Sequence, residues 1–250
     1  VESGSEIRVF ALKAFFVMND DDTIWAYNGE KKLISGILQV TSAELPIVYF
    51  TTEHGENLGE GAQALMTLFH DNGFDVRAIN LAREEIDEDA RIIIVNDPVY
   101  DFIGAEADDA SANEIDKLDA FLDRFGCLYV FTSPDNAGRL SNLSELLEEW
   151  GIAFTPDTYV RDPDHAISSD GLSVVAEYDK ETLGSSIYKD LTDNLDTMPK
   201  TISRYTMPID ILWEEGGGLS GSRDVSPVIT SYDTAAALKD GETVGHGKYN

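Results

Sequence analysis

Residues 46–73 read "PIVYFTTEHGENLGEGAQALMTLFHDNG". Pro46 to Thr51 is a short β-rich run. It gives way to glycines and carboxylates around one histidine, His54. Ala62, Leu65, Met66 and Phe69 then recur at i, i+3, i+4 and i+7, which is one face of a helix. Asn72-Gly73 supplies the stop signal. A strand, an acidic turn and a helix in this order predict one β–α unit.

The pattern continues on the C-terminal side. Asp75 to Leu81 reads as a second strand. Ile92 to Val95 reads as a third, without polar alternation, as expected of a strand covered on both faces. Ile115, Leu118, Phe121, Leu122 and Phe125 form a second helical stripe, with Gly126 placed to serve as its C′ residue. Cys127 to Thr132 is a fourth strand. Ser141 to Trp150 is a third helix, with Leu143, Leu146, Leu147 and Trp150 on its apolar side. Strands and helices alternating at these lengths predict an α/β fold with a mostly parallel sheet and helices on both faces.

The flanks differ. Residues 1–44 form a β/α lead-in with β-prone "IRVFALKAFFVM" and "TIWAYNG" and a short helix in "EKKLISGILQVT". Residues 161–250 form a β-rich extension, with a helix around 186–191 and an exposed loop, "EEGGGLSGSRD". The closing "GETVGHGKYN" shows no final element, so a strand is expected to be missing, and His246 falls in a loose tail. The whole, 1–250, reads as a single α/β domain with its core at 45–160.

Composition bounds the function. The chain is 42% hydrophobic and 10% aromatic, enough for a packed core. Forty-seven acids against 18 bases give a formal charge of −29. That balance argues against binding nucleic acid or anionic lipid through a general field. The runs Asp20–Asp22 and Asp108–Asp109 read as solvated turns. One cysteine, Cys127, excludes an intrachain disulfide and a Cys-rich zinc site, and reads as a buried core thiol. No apolar run approaches the roughly 20 residues that span a bilayer. A start on "VESGSEIRV" reads as a piece of a longer chain, with any membrane anchor removed.

Three chemistries could use the turn at 52–61. Gly59 to Ala64 fits G-x-G-x-x-A, but six residues separate it from the strand, and Glu53, Glu56 and Glu60 would oppose a phosphate. Glu53, His54, Glu56 and Asp97 could form a mixed oxygen and nitrogen metal site. The H-x-E of a zinc deaminase has no P-C-x-x-C partner here. Ser133 follows the fourth strand as a nucleophile would, yet Pro134 removes the amide N–H that an oxyanion hole needs. His165 has no local feature fixing it as a base, and His70 reads as a surface residue. The remaining reading is a turn: glycines allow the bend, Asn57 or Glu60 helps cap the next helix, and His54 and Glu56 hold the loop by hydrogen bonds. Open α/β sheets bind ligands beyond the carboxyl ends of their strands. The candidate crevice is therefore Glu53, His54, Gly55, Glu56, Asp97, Ser133 and Asp135, with no catalytic residue, metal or cofactor assigned.

Taken as a series, "SGILQVTSAELPIVYFTTEHGE", "RIIIVNDPVYDF", "EIDKLDAFLDRFGCLYVFTSPD", "NLSELLEEWGI" and "SPVITSYDTA" resemble the GldG-like auxiliary family of ABC-type transport systems. The likeness covers most of residues 34–160, with scattered agreement to about residue 236. The family's T-G-H-G-E turn stands here as Thr52-Glu53-His54-Gly55-Glu56, with Glu53 in place of the usual small residue. The resemblance implies a flavodoxin-like fold, similar to class I glutamine amidotransferases but without their cysteine nucleophile. It also implies an extracytoplasmic domain tethered to a bacterial membrane, with an ABC permease and ATPase as partners. The expected function is a non-catalytic interaction or ligand-binding domain. A hydrolase-like enzyme at the strand ends and a metal-dependent binding module stay open as alternatives.

Overall fold

The computed structural model describes residues 1–19, 21–42, 44–106, 110–193, 200–213 and 225–250. Asp20, the pair Asp108–Asp109 and the loop expected at 214–224 lie outside the described residues. The chain divides into two compact units, Val1–Pro98 with Ala105–Phe131, and Val99–Gly104 with Thr132–Asn250. This boundary falls inside the 45–160 stretch that the sequence suggests as one core.

In the first unit, α1 (Gly29–Thr41) precedes β1 (Ile47–Thr51), α2 (Glu60–Asp71), β2 (Asp75–Ile79), β3 (Ala90–Asn96), α3 (Glu114–Asp123) and β4 (Cys127–Phe131). The strands form a four-stranded, all-parallel sheet in the order β2-β1-β3-β4. Every residue of β1 is buried, which accounts for its unbroken apolar run. Val48, Phe50 and Ile94 present one face to Leu65, Met66 and Phe69 of α2. Each such buried side chain contributes about 2 kcal/mol.

The 80–89 connection is tied to β1, because Asp87 Oδ2 accepts from the Tyr49 hydroxyl at 2.8 Å. Helix α3 reaches the same connection, because Lys117 Nζ donates to the carbonyls of Leu81 and Glu84 at 2.7 and 2.9 Å. The chain runs one way from β1 to β2 and the other way from β3 to β4. Right-handed crossovers then place α2 and α3 on opposite faces.

Two helix ends show how local chemistry sets these connections. After α2, Gly73 takes φ +84, its N–H donates to His70 O, and the Phe74 N–H reaches Phe69 O. The rings of Phe69 and Phe74 meet edge to face at 5.4 Å. This is a Schellman cap with its apolar contact. After α3 the hydrogen bonds repeat, from Phe125 N–H to Leu122 O and from Gly126 N–H to Phe121 O, both 2.9 Å. Here Phe125, at φ +66, holds the left-handed position expected for Gly126. Gly126 answers a different need, since a β-carbon there would lie 2.4 Å from the Phe121 ring.

Cys127 is exposed rather than buried. It opens β4, a strand paired only with β3 in this sheet, and the alternate side chains Cys127, Tyr129 and Phe131 face outward. The lead-in before α1 contains two small antiparallel pairs, Glu2–Ser3 with Glu6–Ile7 and Phe16–Met18 with Ile24–Tyr27.

In the second unit the elements are α4 (Ser141–Glu149), β5 (Thr158–Arg161), β6 (Ser173–Tyr178), α5 (Leu183–Asp193), β7 (Thr201–Arg204), β8 (Ile229–Thr230), β9 (Ala236–Lys239) and β10 (Glu242–His246). Among the described residues all its strand pairs are antiparallel: β5-β9-β10 and β7-β6-β8 make two three-stranded sheets, and Ile152–Phe154 pairs with Ile209–Ile211. Val160, Val174 and Ala235 are buried together, with Tyr249 packed against them. Asp101 caps α4 from a distance, its carboxylate accepting from Ser141 Oγ at 3.0 Å and Asn142 N at 2.7 Å. The expectation of an unclosed tail is corrected here. His246 ends β10 and pairs with Ala236, so the last residues complete a sheet. Among the described residues, no helix is long and apolar enough to cross a membrane.

Candidate functional site

The turn after β1 is built on two left-handed residues, Glu53 at φ +81 and Gly55 at φ +76. Glycine adopts this conformation freely, whereas glutamate does so at a cost of about 1–2 kcal/mol. The bend drives His54 inward until only 6% of its surface remains exposed. Glu56 folds back on it. One carboxylate oxygen accepts from the His54 backbone N–H at 2.8 Å, and the other lies 3.0 Å from Nδ1. On the far side of the ring, Nε2 lies 2.9 Å from Glu114 Oε2.

Glu114 is the first residue of α3 and is buried. Asn113 caps that helix, its side-chain oxygen accepting from Asp116 N at 3.0 Å. The positive end of the helix dipole favours a carboxylate in this first turn. His54 thus ties the turn after β1 to the start of α3, 60 residues along the chain.

The arrangement sets the protonation state. Burial disfavours the imidazolium, but hydrogen bonds to Glu114 and Glu56 outweigh it and raise the His54 pKa to about 9. For Glu56, burial raises the pKa, yet the hydrogen bond with His54 prevails and holds it below the ordinary carboxylate value. At neutral pH the ring is a cation donating from both nitrogens. A general base needs a free lone pair, and so does a metal ligand. Both nitrogens of this imidazole are engaged with carboxylates instead. Among the described residues, no group of three His, Cys, Asp or Glu side chains is arranged to hold a metal ion.

Of the crevice residues read from the sequence, the structure brings His54 and Glu56 into contact, with Gly55 between them. Glu53 is exposed. Asp97 is half-buried at φ +52, its N–H donating to Phe131 O at 2.7 Å, so it sustains the end of the β3–β4 pair. Ser133 and Asp135 belong to the second unit. Ser133 is the N-cap of the one-turn helix Pro134–Ala137, and its carbonyl accepts from Asn136 and Ala137. Asp135 is exposed and accepts from the Tyr159 hydroxyl, which pushes that phenol up to about 12. The expected side-chain cap on α2 does not form: its N-cap is Gly59, with no side-chain cap hydrogen bond, and Asn57 Oδ1 instead accepts the Gly59 N–H at 3.1 Å.

Sequence reasoning missed Glu114. An Asn before an apolar helical stripe marks a helix start, and "NEID" has that form. Nothing in the sequence joins it to His54. In the second unit the expectation that nothing local orients His165 is corrected, since Asp162, three residues earlier, contacts it. Asp162 is buried, and one carboxylate oxygen accepts the N–H groups of Asp164 and His165 at 3.1 and 3.2 Å. Its other oxygen accepts from Thr234 Oγ1 at 2.8 Å. His165 Nδ1 lies 2.9 Å from Thr234 Oγ1 and 3.3 Å from that same carboxylate oxygen. The imidazole stacks on Tyr232, the rings 3.9 Å apart and 8° from parallel.

Comparison with family models, with curated proteins and with solved structures finds no match.

Proposed function

We propose that this chain is a non-catalytic interaction domain on the extracytoplasmic face of a bacterial membrane, an auxiliary part of an ABC-type transport assembly. The observation that supports interaction most directly is the reversed polarity of α1. Leu33, Ile34, Ile37 and Leu38 are exposed, whereas Ser35, Gly36, Gln39 and Val40 are buried. The polar side is anchored: Gln39 Nε2 donates to His70 O at 3.0 Å and Lys32 Nζ to Asp71 at 2.7 Å. An apolar helical stripe left facing solvent marks a partner surface. Nearby in sequence, Trp25 is 73% exposed and Val9, Leu12 and Ile24 are also exposed.

The turn favours the same reading, because its histidine is consumed in an internal ion-pair lock. The strand order β2-β1-β3-β4 supports assigning the sheet to the flavodoxin-like class, although a plain connection at 80–89 replaces one crossover helix. The transport setting rests on the family resemblance of residues 34–160.

A photo-crosslinking residue at Ile34 or Ile37, in cells carrying the native gene cluster, tests the proposal. The expected result is an adduct with the permease in the membrane fraction, abolished by Ile34→Glu with Ile37→Glu. Crosslinking that yields no permease adduct would overturn it.

A further inference from the structure

A cleft of about 270 Å³ in the second unit gathers Lys180, Lys200, Tyr178, Tyr188 and Tyr232 around the end of β6, with Glu177 at its wall. In a chain with 47 acids and 18 bases, two ammonium groups at one cleft stand against the prevailing charge. Among the described residues, neither Lys180 nor Lys200 belongs to an ion pair. Lys180 instead lies over the Tyr188 ring, 5.4 Å from its centre. Among the described residues, the one carboxylate in the wall is partly neutralised, since Lys248 Nζ lies 3.7 Å from Glu177 Oε2.

Two of the three aromatic walls, Tyr178 and Tyr232, are held in place. Tyr232 is backed by the His165 imidazole, which Thr234 and the buried Asp162 carboxylate position in turn. Tyr178 shares a 2.7 Å hydrogen bond with Thr201 Oγ1 of the neighbouring strand. A fixed ring loses little conformational freedom when a ligand stacks on it, so such walls are pre-organised. Lysines supply compact positive charge for a carboxylate or phosphate, and tyrosine faces supply area for a planar ring.

We propose that this cleft binds a small aromatic anion, with its ring among Tyr178, Tyr188 and Tyr232 and its carboxylate or phosphate at Lys180 and Lys200. A net charge of −29 repels anions at long range. Recognition therefore depends on these short contacts, which survive at physiological salt, where screening acts over about 8 Å.

Titration calorimetry on the full chain tests this with phenyl phosphate and phenylacetate as probes, and inorganic phosphate and phenol as half-probes. One aromatic anion should bind at a single site, with each corresponding half-probe at least about tenfold weaker. Lys180→Ala with Lys200→Ala should weaken the aromatic anion about tenfold or more, and Tyr188→Ala should weaken it too. Lys189→Ala, an exposed lysine outside the cleft, serves as the control and should leave affinity unchanged. Circular dichroism confirms that each variant is folded. No saturable binding of either aromatic anion would overturn the proposal. So would equal affinity in the double-lysine variant, or inorganic phosphate binding as tightly as phenyl phosphate.

Discussion

His54 and His165 each lie against carboxylates, but their surroundings give them opposite characters. His54 has a carboxylate at each ring nitrogen and is almost wholly buried. His165 meets Asp162 and Thr234 through Nδ1 alone, stays partly exposed, and lends a ring face to Tyr232 beside an open cleft. A carboxylate at each ring nitrogen holds the His54 imidazole as a buried cation. The conspicuous histidine of the sequence is therefore a clamp, and the inconspicuous one supports a wall.

Removing the clamp should produce the largest effect. His54→Gln leaves two carboxylates buried without their cation and should cost about 3 kcal/mol or more, read from urea unfolding at neutral pH. A loss under about 0.5 kcal/mol would show that the two histidines do not differ in this way.

The second way to test the contrast is pH. Because the folded pKa of His54 is raised from 6.5 to about 9, its contribution is complete below about pH 6.5 and is lost as pH rises through about 9. A rise of this size is worth on the order of 3 kcal/mol, and the alkaline slope should vanish in His54→Gln. Glu56 acts at the other end. Its depressed pKa gives stability that is present above the ordinary carboxylate value and lost as pH falls through the folded one. Imidazole NMR sharpens the assignment: Glu114→Gln should lower the His54 pKa by about one unit or more, since one of the two stabilising carboxylates is gone.

Smaller effects lie elsewhere. Phe125 is 98% exposed in a left-handed conformation, so Phe125→Gly should stabilise the fold by about 1 kcal/mol, seen as a raised Tm. His165→Gln should cost less than about 1 kcal/mol, because the ring is partly exposed and Asp162 keeps its backbone and Thr234 donors. A loss matching that of His54→Gln would erase the contrast.

The parallel sheet was legible because burial on both faces writes an unbroken apolar run, as in Ile47–Phe50 and Ile92–Val95. Helices announced themselves by spacing, and the stop at Gly73 by glycine's freedom at positive φ. The stop at 124–126 was misread by one residue. Sequence shows which residue tolerates a left-handed turn, but not that the Phe121 ring would forbid a β-carbon at Gly126. Cys127 was misplaced because exposure follows from the position of β4 in the sheet, a property of the assembled strands. Within the candidate site, the local pair His54 and Glu56 was readable at a separation of two residues. Glu114 was not, because only the β1-β3-β4 arrangement brings the start of α3 to that turn. Thr234 escaped for the same reason, being 72 residues from Asp162, whereas Asp162 itself lies only three residues before His165 and was overlooked as its neighbour.

The outward apolar stripe of α1 also governs how the isolated chain behaves in a tube. Contact between such stripes on separate molecules gains strength on warming, while mutual repulsion between particles of charge −29 fades as electrolyte is added. Cold, dilute buffer should keep the molecules dispersed. Warm, salted buffer should draw them together through the stripe, and light scattering would record the onset.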